Sequence, residues 1–211
     1  MSEKELAGLQ PRKPIAIIRL DDLTYDLEIC RALLAGGITV LEFTLTNSQA
    51  INSIEKARNE FADSLFIGAG TVLDGAMAEA SIRAGAQFLV TPTLLPEVIQ
   101  AGLSHDVPVV CGAFTPTEIL TAWRLGASLV KVFPAGRLGP GYLKDVLAPL
   151  PAIPLVPTGG VNLETCAAFL SAGAYTVAIG SQLVSKELVE KKDWATLTAL
   201  ARRYMELCSQ G

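Results

Sequence analysis

The sequence predicts an α/β chain folded as a single-domain (βα)8 barrel of the TIM type, on three observations. Four segments resemble one another: LLAGGITVLEF (33–43), IRAGAQFLVTP (82–92), WRLGASLVKVF (123–133) and LSAGAYTVAIG (170–180). Each reads as the last turn of a helix, a glycine suited to the left-handed position past its end, and an apolar strand. The matching glycines, Gly36, Gly85, Gly126 and Gly173, stand 41 to 49 residues apart. Four further strand-like runs alternate with these segments: PIAIIRL (14–20), LFIGAGTV (65–72), VPVVCGAF (107–114) and IPLVPTGGV (153–161). The runs are almost continuously apolar, as in a parallel sheet covered on both faces. Eight strands alternating with helices in 211 residues fit a closed barrel rather than an open doubly wound sheet. Pro and Gly fall at unit junctions with no low-complexity linker, and residues 1–13 are expected to form a short helix or arm before strand 1.

In such a barrel the chemistry gathers at the C-terminal ends of the strands, so polar residues that interrupt the apolar pattern there carry the functional signal. Strand 1 ends in Arg19 and strand 2 contains Glu42. Strand 3 ends GAGT with Thr71, and strand 4 ends TPT with Thr91 and Pro92. Strand 6 carries Lys131, followed by Phe133 and Pro134. Strand 7 ends PTGG, with Gly159 and Gly160, and strand 8 ends AIGS, with Gly180 and Ser181.

Alternation puts Leu129, Lys131 and Phe133 on one face of strand 6 and Val130 and Val132 on the other. The β-branched pair suits the helix-facing side, which turns Lys131 into the lumen. An ammonium there is costly unless it is paired or loses its proton, and a neutral amine is a nucleophile toward carbonyls. Glu42 breaks ITVLEFTL in the same way, and an apolar lumen raises a carboxyl pKa unless a cation opposes the shift. A structural ion pair and a catalytic pair both fit these two residues. The glycine turns after strands 7 and 8 let backbone N–H groups approach an anion, at the usual phosphate end of this barrel. Asn162 is expected to cap the following helix.

Composition narrows the function classes. Formal net charge is −4 with a pI near 5.1, and the 17 basic residues are scattered, unlike the basic stripe of a nucleic-acid surface. No run of 18 apolar residues suggests a membrane span, and MSEKELAGLQPRK is unlike a signal peptide, so a cytoplasmic protein is expected. Cys30, Cys111, Cys166 and Cys208 form no CxxC and read as reduced, buried small hydrophobes. His105, the single histidine, lies in the polar connector SHDVP and reads as a solvated loop residue. No metal site and no cofactor are expected.

The ordered set LEFTLTN, IGAGTVL, TPTLLPEVI, LVKVFPA, VPTGGVN and IGSQLV spans nearly the whole chain and resembles the 2-keto-3-deoxy-6-phosphogluconate (KDPG) and 4-hydroxy-2-oxoglutarate (KHG) aldolase family. The resemblance implies the same barrel, a homotrimer, metal-free class I aldol chemistry on a small-molecule 2-keto acid, and pyruvate as the common product. It further implies Lys131 as the Schiff-base lysine, Glu42 as general acid/base, and Thr71 as a carboxylate ligand. Pro92 and Phe133 would wall the pyruvyl pocket, and Gly159, Gly160, Gly180 and Ser181 would bind phosphate. Many phosphogluconate-type members carry an arginine two residues after the LE-x-T segment, where this chain has Thr46. A phosphogalactonate-type branch instead has one at the end of strand 1, like Arg19 in AIIRL, so Arg19 is assigned the substrate carboxylate. Oxaloacetate decarboxylation through the same imine, a sugar-phosphate isomerase and a phosphate-metabolite binding barrel are the rival readings.

Overall fold

Eight short parallel strands alternate with helices in a computed structural model that describes residues 8–210. The first four units are β1 (Ile15–Ile18) with α1 (Asp26–Ala35), β2 (Val40–Thr44) with α2 (Ala50–Phe61), β3 (Phe66–Gly70) with α3 (Gly75–Arg83), and β4 (Leu89–Val90) with α4 (Pro96–Ser104). The rest are β5 (Val109–Ala113) with α5 (Pro116–Arg124), β6 (Leu129–Val132) with α6 (Gly139–Leu147), β7 (Leu155–Pro157) with α7 (Cys166–Ser171), and β8 (Ala178–Ile179) with α8 (Lys186–Glu190) and α9 (Trp194–Ser209). β1 to β7 pair in sequence order, β1 also pairs with β8, and an isolated bridge between Thr158, just past β7, and Ala178 of β8 completes the ring. The fold is the expected (βα)8 barrel.

Local chemistry sets several of the helix starts. Thr115 and Glu118 form a reciprocal capping box at α5, with Pro116 in its first turn. Asp74, Ser185 and Asp193 accept backbone N–H groups at the starts of α3, α8 and α9.

Strand alternation sorts the apolar side chains into two layers. Ala16, Ile18, Leu41, Phe43, Val130 and Val132 pack outward beneath the helices. Ile15, Ile17, Val40, Phe88, Val90, Val110, Leu129, Val156 and Ala178 pack inward. Leu9 joins this inner layer, and the stacked rings of Phe66 and Phe88, 5.4 Å apart, lie in it with Tyr175, whose hydroxyl donates to the Leu9 carbonyl. The lumen therefore has an apolar floor at the N-terminal ends of its strands, which leaves the opposite mouth for polar groups.

Several local expectations change. Gly85, Gly126 and Gly173 take left-handed φ values of 91°, 97° and 99°, but in the first unit that conformation belongs to Gly37 (φ 92°). Gly36 is right-handed, and glycine is needed there for clearance instead: a Cβ would strike Ala201 Cβ and the Thr198 carbonyl of α9. The strands are shorter than the apolar runs, since Arg19 and Leu20, and residues 158–161, already belong to loops. Asn162 caps a turn rather than a helix: its Oδ1 accepts the N–H groups of Glu164 and Thr165 ahead of α7. Of the expected N-terminal helix or arm, residues 1–7 lie outside the described residues, and 8–13 form turns without a helix.

All four cysteines are free and buried. His105 is exposed at the end of α4 and bonds Glu79 at 2.9 Å. Among the described residues no helix is long and apolar enough to cross a membrane.

Replacing Gly36 with Ala should force α1 and α9 apart and cost about 1–3 kcal/mol, read as a lower urea midpoint. The same change at the exposed, uncrowded Gly141 should leave the midpoint nearly unchanged.

Candidate active site

The register of β6 carries Lys131 into the lumen. Leu129 belongs to the inner layer, so alternation turns Lys131 inward beside Gly112 of β5 and Val156 of β7. Lys131 is only 6% exposed, and its Nζ lies 5.2 Å from the centroid of the Phe133 ring. On β2, Val40 is inward, so Glu42 and Thr44 are inward as well, and Glu42 is 1% exposed. Room for its carboxyl comes from β3, where a Cβ at Gly70 would land on the Glu42 carboxyl group. Gly112 does the same for the β4 loop: a side chain there would strike the Pro92 backbone. The glycines of GAG and CGA are thus clearances inside the barrel.

Burial governs the protonation of both groups. Removal from water pushes the Glu42 carboxyl above the usual carboxylate range, while the positive charges of Lys131 and Arg19 act against that shift. It also pushes the Lys131 amine below the usual lysine range; Arg19 reinforces this and Glu42 opposes it. The two interact through the field of the lumen without a direct ion pair. An amine inclined to neutrality and a carboxyl inclined to hold a proton are the two partners that imine chemistry requires.

A cavity of about 410 Å³ opens at the C-terminal mouth. Lys131, Glu42, Arg19, Thr71, Pro92, Phe133, Gly159, Gly160, Gly180 and Ser181 all line it, whereas Thr91 is buried outside the lining, its hydroxyl bonded to the Thr93 carbonyl and the Gly112 N–H. Arg19 continues the inward alternation of Ile15 and Ile17 and is exposed at the mouth. Its neighbouring carboxylates are engaged elsewhere: Asp21 lies 3.6 Å from Lys186, and Asp22 accepts from Thr24. Thr71 has φ 56°, a strained conformation for a β-branched residue, held where β3 ends at the cavity.

Gly159 and Gly160 are both left-handed, with φ 81° and 82°. Their loop locks to the one after β6 through the N–H of Gly136 on the Gly159 carbonyl, 2.7 Å, and that of Ala135 on the Thr158 carbonyl, 2.8 Å. Neither glycine turn runs directly into a helix, since α7 and α8 begin at Cys166 and Lys186. What this end of the cavity offers an anion is loop backbone and the Ser181 hydroxyl rather than helix ends.

Thr44, Thr46, Thr158 and Gln182 also line the cavity and were not singled out from the sequence as ligand groups. Thr44 was within reach, because it stands two residues beyond Glu42 on the same strand face; Gln182 has no local signal. A second groove, about 470 Å³, lies across Phe133 against Phe114 and Glu118. It holds neither of the buried ionisable groups.

The sequence model of the KDPG and KHG aldolase family matches residues 7–200. A 2-dehydro-3-deoxy-phosphogluconate aldolase of Treponema pallidum is 35% identical over 201 residues, covering 95% of each chain. A 2-dehydro-3-deoxy-6-phosphogalactonate aldolase of Escherichia coli is 33% identical, covering 83% of this chain and 86% of its own. Among solved structures, the Legionella pneumophila KDPG aldolase with pyruvate captured as a covalent carbinolamine superposes with a TM-score of 0.87 at 30% identity, covering 95% of this chain and 97% of that one.

The field of the site has a measurable sign. Acylation of Lys131 by acetic anhydride, followed by peptide mass mapping across pH, should titrate below the ordinary lysine range. Arg19→Met removes a positive charge that disfavours protonation, so the Lys131 curve should move to higher pH; a downward move would contradict the assigned electrostatics.

Proposed function

This chain belongs to the KDPG and KHG aldolase family, and we propose from that premise that it is a class I aldolase, a carbon–carbon lyase cleaving a 2-keto-4-hydroxy acid through an imine on Lys131. The observation that carries the reading is the inward, buried Lys131 sharing one cavity with buried Glu42. A site that only bound phosphate would need neither.

Neutral Lys131 adds to the C2 ketone to give a carbinolamine. Glu42 delivers the proton with which the hydroxyl leaves as water, forming the protonated imine. That imine draws in the electrons of the C3–C4 bond as the carboxylate of Glu42 takes the 4-hydroxyl proton, and an aldehyde departs. The remaining enamine is protonated at C3, and water releases pyruvate and the free amine. Arg19 and Thr71 hold the pyruvyl carboxylate, while Pro92 and Phe133 wall the three-carbon end. N–H groups around Gly159, Gly160 and Gly180, with the Ser181 hydroxyl, hold a phosphate at the far end. With KDPG the aldehyde is glyceraldehyde 3-phosphate; with KHG it is glyoxylate.

Arg19 together with Thr46 favours a second reading, the phosphogalactonate-type substrate, because this branch places its carboxylate-binding arginine at the end of strand 1. The E. coli relative bearing that activity supports it. We further place the enzyme in the cytoplasm as a homotrimer, a reading supported by the family and by exposed apolar side chains such as Leu73 and Phe114, 49% and 43% exposed.

Borohydride added with pyruvate should fix a three-carbon adduct on the peptide containing Lys131, and Lys131→Met should abolish it. Labelling elsewhere, or none, would overturn the imine. Glu42→Gln should slow turnover roughly 10²- to 10⁴-fold with the adduct still trappable. Arg19→Met should raise KM roughly 10- to 100-fold through loss of a charge-assisted contact. Turnover measured on KDPG, its 4-epimer and KHG ranks the substrates.

A further inference from the structure

Arg19 sits on a loop, yet the backbone on both sides of it is held by side chains from the neighbouring strand. Asn47, just past β2, donates from Nδ2 to the carbonyls of Leu20 at 3.0 Å and Asp21 at 2.9 Å. Its Oδ1 accepts the Gln49 N–H at 2.8 Å, which fixes the amide plane and leaves both N–H groups for those carbonyls. On the other side of Arg19, the Thr44 hydroxyl lies 3.4 Å from the Ile18 carbonyl and 3.0 Å from the Thr46 hydroxyl. The clamp itself is anchored, since the Leu45 N–H donates to the Gly70 carbonyl at 2.8 Å.

Arg19 itself has no ion-pair partner among the described residues, and its neighbours Asp21 and Asp22 are engaged by Lys186 and Thr24. A long side chain with a free guanidinium gains reach only if its backbone is fixed, because each unfixed backbone residue adds entropy lost again on binding. Thr46, two residues past β2, stands where many phosphogluconate-type members carry an arginine, and the next residue, Asn47, holds the β1 loop instead.

We propose that Asn47 is a positioning residue for Arg19: it acts on substrate affinity by holding the β1 loop so that the guanidinium is presented at the cavity mouth. The proposal rests on the reading that Arg19 binds the substrate carboxylate.

A double-mutant cycle tests it, with KM and kcat for KDPG as readouts and thermal melting to verify folding. Asn47→Ala should raise KM roughly tenfold, as expected for two lost hydrogen bonds, with kcat and the yield of trapped pyruvate adduct at saturation unchanged. Asn47→Ser, which can still accept from Gln49 but loses the donors, should behave alike. In the Arg19→Met background the Asn47 substitutions should have no further effect on KM. An equal rise in KM with and without Arg19, or no rise at all while Arg19→Met raises KM, overturns the proposal alone. Unchanged KM in Arg19→Met removes the carboxylate reading, and the proposal falls with it.

Discussion

Two ionisable groups buried inside one lumen constrain the rest of the structure. Lys131 and Glu42 each lose hydration, and each shifts toward its uncharged form. Such groups persist only in a frame that cannot relax around them, and here the frame is the inner apolar layer with its floor of Leu9, Phe66 and Phe88. The floor is apolar, and the polar groups that line the cavity lie at the opposite end of the lumen. Fold stability and chemical reactivity oppose each other at these positions, as expected where a site stores unfavourable electrostatics.

Much of this was legible from pattern alone. A lysine among β-branched neighbours, with a two-residue period, fixes both its inward direction and its anomaly, and Glu42 follows by the same argument. The glycines at strand ends, together with the family resemblance, pointed to the other lining residues that the cavity brings together. What escaped the sequence depends on contacts between distant segments. Gly36 and Gly37 are indistinguishable as letters, and only the folded chain shows that Gly37 turns left-handed while Gly36 makes room for α9. Asn162 resembled a helix cap because the turn after it has the same local hydrogen-bonding grammar. Thr158 and Gln182 are ordinary loop residues until barrel closure sets them around one cavity.

The loops divide the labour. Those after β6 and β7 are bolted together through Gly136 and Gly159, which ties the strand that carries Lys131 to the Gly159 and Gly160 half of the proposed phosphate site. Those after β1 and β2 form a second unit through Asn47 and carry Arg19. On the proposed reading a bound substrate touches both units, its C2 at Lys131 of one and its carboxylate at Arg19 of the other.

The clearance at Gly70 has a historical consequence. The Glu42 carboxyl occupies the space that any side chain at position 70 would claim. A lineage in which Glu42 was cut back to alanine could acquire alanine at 70 without meeting that side chain, and thereafter restoring glutamate at 42 would be blocked until 70 reverted. The two positions form a ratchet: once both have changed, recovering this chemistry requires two steps in a fixed order, glycine at 70 and then glutamate at 42.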